Sequence, residues 1–295
     1  MKKTIALILA AVMCIFAFAA CNSSNGNTND EAKQTGTAAE SGAAAESGTG
    51  DNTSADGSGD LAAIKAKGKL VIGITEYEPM NYKNEAGKWT GFDTEYAEKV
   101  CEKLGVTAEF QPIEWDNKIF ELNSGAIDCV WNGMTLTDEV VAAMKCTDPY
   151  IKNAQVVVMA ADKLKDYPDV ASMKDLTFAA ESGSAGAAAL DEAKLNYTPV
   201  TAQSDALLEV KSGSVNACVI DITMAKSMTG AGTSYADLGY AVEMTSENYG
   251  IGFRKGSDLC AKVNEITKEL TESGFMDTLG EKYGLKDNLS SNFAG

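Results

Sequence analysis

The chain has no histidine and a single arginine, Arg254, among its 295 residues. Without imidazole, nucleophilic triads built on histidine are excluded, and so is most zinc chemistry. With one guanidinium, a bidentate carboxylate clamp is available at one position or nowhere. The seven cysteines form no CxxC pair, which removes the usual zinc-cluster spacing. No GxxxxGK loop occurs, so nothing here cradles the phosphates of ATP. Basic residues are outnumbered: 25 Lys and Arg stand against 42 Asp and Glu, a net charge of -17. Residues 1–60 hold three lysines and seven acids (-4), which leaves -13 for residues 61–295. A surface of that sign repels phosphate backbones and argues against nucleic acid as a partner.

What is present begins with an export signal. Residues 1–21, "MKKTIALILAAVMCIFAFAAC", put Lys2 and Lys3 before an apolar run from Ile5 to Phe18, then small residues and a cysteine. The run is shorter than the ~20 residues that a spanning helix needs. The end "FAAC" resembles a bacterial lipobox, which implies cleavage before Cys21 and a diacylglycerol on its thiol. Residues 22–60 are Gly, Ala, Ser, Thr and Asn with scattered acids, too poor in large apolar side chains to offset the entropy of ordering. They read as a flexible tether with a root-mean-square reach of roughly 35 Å. The folded part is expected from Leu61 to about Leu289. Loss of Cys14 with the signal and lipidation of Cys21 leave Cys101, Cys129, Cys146, Cys218 and Cys260, an odd number. Buried thiols packing as small hydrophobes are the expectation for these.

Periodicity gives an alternation of strands and helices. "KLVIGI" (69–74) is an apolar, β-branched run that reads as a buried strand. Asp93 is placed to cap a helix carrying Ala97, Val100, Cys101 and Leu104 on one face, with Gly105 at its end. "TAEFQPI" is a second strand, Asp116 caps a short helix ending at Gly125, and "AIDCVW" is a third strand. Repeated crossovers of this kind predict a parallel sheet. The alternation then recurs: "AQVVVMA" and "DLTFAA" as strands, a helix from about Ala187 to Lys194, the helix "SDALLEVKSG", and "VNACVI" ending at Asp221. A strand in "YGIGFR" and a Ser257-capped helix using Leu259, Val263, Ile266 and Leu270 close the chain. Ligands of open α/β sheets gather beyond the carboxyl ends of strands, which singles out residues 75–82, 131–137, 181–186 and Asp221.

"KLVIGITEYEPMNY", "GKWTGFDTEYAEKVCEKLGV", "FQPIEWDNKIFELNSGAIDCVWNGMTLT", "DPY", "VIDITMA" and "NYGIGFRKGSDL", in this order, resemble the bacterial extracellular solute-binding proteins, family 3 type, that feed polar amino acid ABC transporters. The resemblance covers nearly all of the expected folded part. It implies an α/β, two-lobed periplasmic-binding-protein type II fold with two hinge-crossing strands. Lobe 1 is then 61–152 with 250–289, lobe 2 is 153–249, and the solute sits in the cleft between them. It also implies a monomer without cofactor, partnered by a small-molecule ligand and by ABC permease and ATPase subunits, and touching the membrane through the lipid anchor alone.

Matched position by position, Tyr77 and Trp115 correspond to aromatics on the two walls of the cleft. Asn132, Gly133 and Thr135 correspond to strand-end groups that hydrogen-bond an amino acid. Ser184 and Ala185 fall in a loop whose N–H groups help hold its carboxylate, and Asp221 in the position that takes its ammonium. Glu181 stands where relatives often carry Gln or Lys. Each also has a plain structural reading: core packing for the aromatics, a solvent-facing Glu181, and Asp221 as a helix cap.

The family pattern Thr-x-Thr-x-x-Arg continues from Thr135, and its arginine clamps the ligand's α-carboxylate. Here the run is Thr135, Leu136, Thr137, Asp138, Glu139, Val140. Arg254 lies in "GFRKGSD", which is not a ligand-binding segment of the family. Losing one partner of a buried charged pair costs ~2–5 kcal/mol, which is ~30- to several-thousand-fold in affinity. Acids at Glu181 and Asp221 with no arginine favour an amine or organic cation lacking a carboxylate. Three alternatives stay open: a conventional amino acid ligand whose carboxylate meets a lysine such as Lys118 or Lys152, a ligand sensor, and an enzyme using Glu181 and Asp221 as paired carboxylates.

Overall fold

The computed structural model describes residues 59–290. The expected signal, Cys21 and all but the end of the expected tether lie outside that range. The first element, α1 (Asp60–Lys67), begins at the last residue assigned to the tether. It is followed by β1 (Lys69–Ile74), the small hairpin β2 (Tyr82–Lys83) and β3 (Trp89–Thr90), α2 (Phe92–Leu104), β4 (Thr107–Pro112), α3 (Lys118–Ser124), β5 (Cys129–Thr135), α4 (Asp138–Ala143) and β6 (Lys145–Cys146). The second run is β7 (Ile151–Ala160), β8 (Phe178–Glu181), α5 (Ala185–Ala193), β9 (Tyr197–Val200), α6 (Gln203–Ser212), β10 (Ala217–Asp221) and α7 (Ile222–Met228). β11 (Leu238–Phe253), α8 (Leu259–Glu272) and α9 (Phe275–Lys282) complete it.

The strands lie in the order β4-β1-β5-β11-β7-β10-β8-β9, with β6 pairing to β11. β1 runs parallel to both β4 and β5, and β8 parallel to both β9 and β10. The parallel pairing expected of the first block therefore holds, while the sheet as a whole is mixed. β7 is antiparallel to β10 and β11, and β11 is antiparallel to β5. These two long strands join the parallel groups, because β11 pairs with β7 from Leu238 to Tyr249 and then passes to β5 from Tyr249 to Phe253. Register shifts in β11 at Tyr240/Val242, Glu243/Thr245 and Gly250/Gly252 bend it along the way. This is the two-lobed type II arrangement, with β7 and β11 as the crossing strands.

Local chemistry accounts for most elements. β1 is buried along Leu70–Ile74, as its apolar run requires of a strand covered on both faces. Helix α2 buries Ala97, Val100, Cys101 and Leu104 and ends at Gly105, whose N–H bonds the carbonyls of Cys101 and Glu102. α8 turns Leu259, Val263, Ile266 and Leu270 inward. Three expected caps behave otherwise. Asp93 lies inside α2, fully buried, and accepts from the Gly133 N–H at 2.6 Å and the Tyr150 hydroxyl at 2.9 Å. Asp116 makes no capping bond: it lies in a 3-10 turn, Trp115–Asn117, and Asn117 holds the N-cap position of α3. Asp258 opens α8, while Ser257 contributes only one bond, from the Leu259 N–H. All five cysteines in the described range are free thiols, buried except for the half-buried Cys146.

Candidate functional site

The carboxyl ends of β5, β8 and β10 meet at a cavity of about 260 Å³ between the two strand groups. Its walls include Trp115 and Lys118 beside α3, Asn132 to Thr135 of β5, and Thr137 to Val140 at the start of α4. Gln155, Glu181, Gly183 to Ala185, Ala188, Gln203 and Asp221 close the other side. Of the residues matched from sequence, all but Tyr77 border this cavity.

Tyr77 sits behind it. Its hydroxyl is 2.5 Å from Thr223 Oγ1 and 2.6 Å from the Tyr249 hydroxyl, and its ring packs against Gly133. A Cβ on Gly133, where φ is +55°, would lie 2.7 Å from Tyr77 Cε1, so glycine is what lets the strand end and the ring meet. Asn132, 2 % exposed, places its amide 2.8 Å from both Thr75 Oγ1 and Asn81 Nδ2, which fixes the end of β5 against β1. Ser184 caps α5 by accepting from the Ala187 N–H at 3.1 Å. The Thr135 hydroxyl donates to Glu247 Oε1 at 2.7 Å, so it serves β11 as well as the cavity wall.

Asp221 does not cap α7. Its Oδ1 accepts from the amides of Asn153 and Gln155, the latter at 2.8 Å, and its Oδ2 accepts from Gln203 Nε2. Burial, followed by the nearby Glu247 carboxylate, pushes its pKa upward, and the donated amide hydrogens pull it back. Glu181 is 2 % exposed, not solvent-facing. Burial and then the Asp221 charge raise it to about 8, and its Oε1 has no hydrogen-bond partner.

Val140 is 3 % exposed and borders the cavity while packing with Trp115, Met134 and Met144. Its N–H donates to the Thr137 hydroxyl at 3.2 Å. Arg254 is engaged elsewhere, donating to the carbonyls of Ile127 and Leu122 and lying 3.1 Å from Asp60. Lys152 is exposed and away from the cavity wall. Among the described residues, Lys118 is therefore the one basic side chain on that wall. Its Nζ donates to the carbonyls of Gly183 at 2.9 Å and Trp115 at 3.3 Å, and lies 5.0 Å from the Trp115 ring. The cation–π slot of Trp115 is thus already filled.

A cleft at the carboxyl ends of two parallel strand groups, bridged by two long strands, is matched by known sequences. Residues 70–286 fit the model of the bacterial extracellular solute-binding proteins, family 3. The chain belongs to that family.

Proteins similar to it include the L-cystine-binding protein TcyA of Bacillus subtilis, 29% identical over 96% of this chain and 97% of its own. The arginine-binding extracellular protein ArtP of Bacillus subtilis is 30% identical over 78% of this chain and 91% of its own. Among solved structures, the ancestral amino acid-binding protein AncCDT-1, a precursor of cyclohexadienyl dehydratase, superposes with a TM-score of 0.69 at 30% identity, covering 76% of this chain and 98% of that one. The chain is thus a solute-binding protein of the amino-acid ABC importer family.

Sequence reasoning missed Asn153, Gln155 and Gln203, the amide donors to Asp221. Gln155 had a signal, being the one polar residue in "AQVVVMA". Gln203 had none, because only the fold brings the start of α6 to the end of β10.

Proposed function

We propose that this family 3 protein is the lipid-anchored receptor of an ABC importer and captures a small amine-bearing or cationic solute between its lobes. The lobes are taken as 61–152 with 250–289 and 153–249. The anchor would be the diacylglycerol on Cys21, and the partners a permease and its ATPase subunits. The carrying observation is the wall of the cavity: Val140 borders it at the position where the family's arginine is expected, while Asp221 and Glu181 are both buried at its edge. An apolar side chain there offers nothing to a desolvated carboxylate. The acids offer a counter-charge to an ammonium. Closure around the solute excludes water, which strengthens that attraction.

A thermal-shift panel on the purified protein, setting each amino acid beside its decarboxylated amine, tests this. Ligand at 100 times its Kd adds ~2.7 kcal/mol, or several degrees for a chain of this size. Shifts from the amines alone are expected. Shifts from amino acids alone would overturn the amine reading.

Lys118 favours a second reading, a conventional amino acid ligand, because its ammonium lies on the same wall. In that case Lys118→Met abolishes amino acid binding, a loss of ~2–5 kcal/mol. For an amine ligand the same variant removes only a closing contact. Both readings are of a receptor and not of an enzyme, and mass spectrometry of the recovered solute, unchanged after incubation, checks that.

A further inference from the structure

The two acids at the cavity are not equivalent. Asp221 is supplied with donors by the protein itself, through the amides of Asn153, Gln155 and Gln203. Glu181 ends β8 at the cavity edge, 2 % exposed, and keeps Oε1 without a partner. A buried acceptor with no donor is costly, more so when charged. Lys118, the basic neighbour, makes no ion pair with it and spends its hydrogens on the carbonyls of Gly183 and Trp115. One acid is thus satisfied before the solute arrives, and the other is left for the solute to satisfy.

Resting on the amine reading above, we propose that Glu181 is the specificity-determining acid and accepts a second donor nitrogen, so that the preferred solute carries two cationic nitrogens, as a short diamine or an amine with a guanidinium does. The modest cavity confines this to a compact molecule. The first nitrogen lies toward Asp221, the second against Glu181. Val140 lines the wall where a carboxylate-bearing competitor would strand its charge.

The groups facing Glu181 set how it responds. Asp221 on β10 and Asp205 on α6 oppose its ionisation, Lys118 on α3 favours it, and the Thr75 hydroxyl steadies the charged form. With burial as the largest influence, the empty site at neutral pH holds a proton on Glu181. An arriving dication displaces that proton to solvent and leaves an ion pair in its place. Binding therefore tightens as pH rises toward about 8.

Calorimetric titration of the purified full chain with a diaminobutane bearing its amines at the two ends, and with butylamine, tests the proposal. The diamine is expected to bind the wild type at least ~10-fold tighter, and Glu181→Gln to bring the two amines to similar affinity. In buffers of different ionisation heat, the diamine should release about one proton more from the wild type than from the variant, whose remaining release comes from Asp221. Amines that bind with no diamine advantage, or an advantage that survives Glu181→Gln, would overturn this inference and leave the amine reading standing. Binding of α-amino acids with neither amine bound overturns both. The proton count on the wild type stands even if the variant is poorly folded, and a count near zero also overturns the role of Glu181.

Discussion

The Lys118 ammonium lies 2.9 Å from the carbonyl oxygen of Gly183, so a side chain from the start of α3 reaches the turn after β8 across the mouth of the cavity. The same turn presses on Asp116: a Cβ on Gly183 would fall 2.5 Å from its Oδ1 and 2.8 Å from its Cα, and Gly183 has φ +68°. This contact between the two walls is thus built on a glycine. Gly183→Ala is expected to weaken solute binding about tenfold, because the left-handed backbone is strained by a side chain and the lobes cannot meet as closely. Calorimetry gives the affinity, and small-angle scattering should show a larger radius of gyration with ligand than the wild type has.

Val140→Arg puts a guanidinium on a wall that has none. It is expected to create α-amino acid binding, with a gain of ~30-fold or more over the wild type. A cost of ~1–3 kcal/mol in stability is expected as well, since Val140 packs with Met134 and Met144. Titration with the amino acid and amine pairs, beside a thermal melt, measures both effects.

Asp221→Asn removes the carboxylate that three amides now support. Amine affinity is expected to fall by ~2–5 kcal/mol. Equilibrium dialysis with a labelled amine would detect it, and unchanged affinity would move the ammonium site away from Asp221.

Stability should fall with rising pH in the ligand-free protein. Glu181 stands at about 8 against an ordinary 4.5, and Asp93 at about 7 against 3.8, both because of burial first. The folded state holds these protons more tightly than the unfolded chain. The stability they contribute is complete below the ordinary values and is lost as pH rises through about 7 to 8. Each group changes stability by at most ~1.4 kcal/mol per pH unit across its window. Scanning calorimetry from about pH 5 to about pH 8 should show a falling melting temperature, with a shallower fall in Glu181→Gln.

Apolar runs and helix periodicity sufficed for β1, α2, β5, β10 and α8, because each buries a contiguous face whose spacing is local. The ends of β5, β8 and β10 already indicated Asn132, Thr135, Glu181 and Asp221, since ligands collect where parallel strands stop. The missing histidine and the missing second arginine likewise limited the chemistry without any coordinates. Other features depended on the tertiary structure. β11 is a 16-residue strand, yet beyond Leu238 its first part is a run of half-buried and exposed positions with no buried face, and is held by distant β7. Asp93 has the spacing of a cap but is buried because Gly133 and Tyr150, remote in sequence, supply its donors. Tyr77 is an aromatic at the right place in the chain, turned behind the cavity by hydroxyls from α7 and β11. Which acid is satisfied and which is left open, Asp221 or Glu181, follows from amides on β7 and α6 that only the folded chain brings together. Burial and hydrogen-bond supply belong to the assembled packing, and no local pattern encodes them.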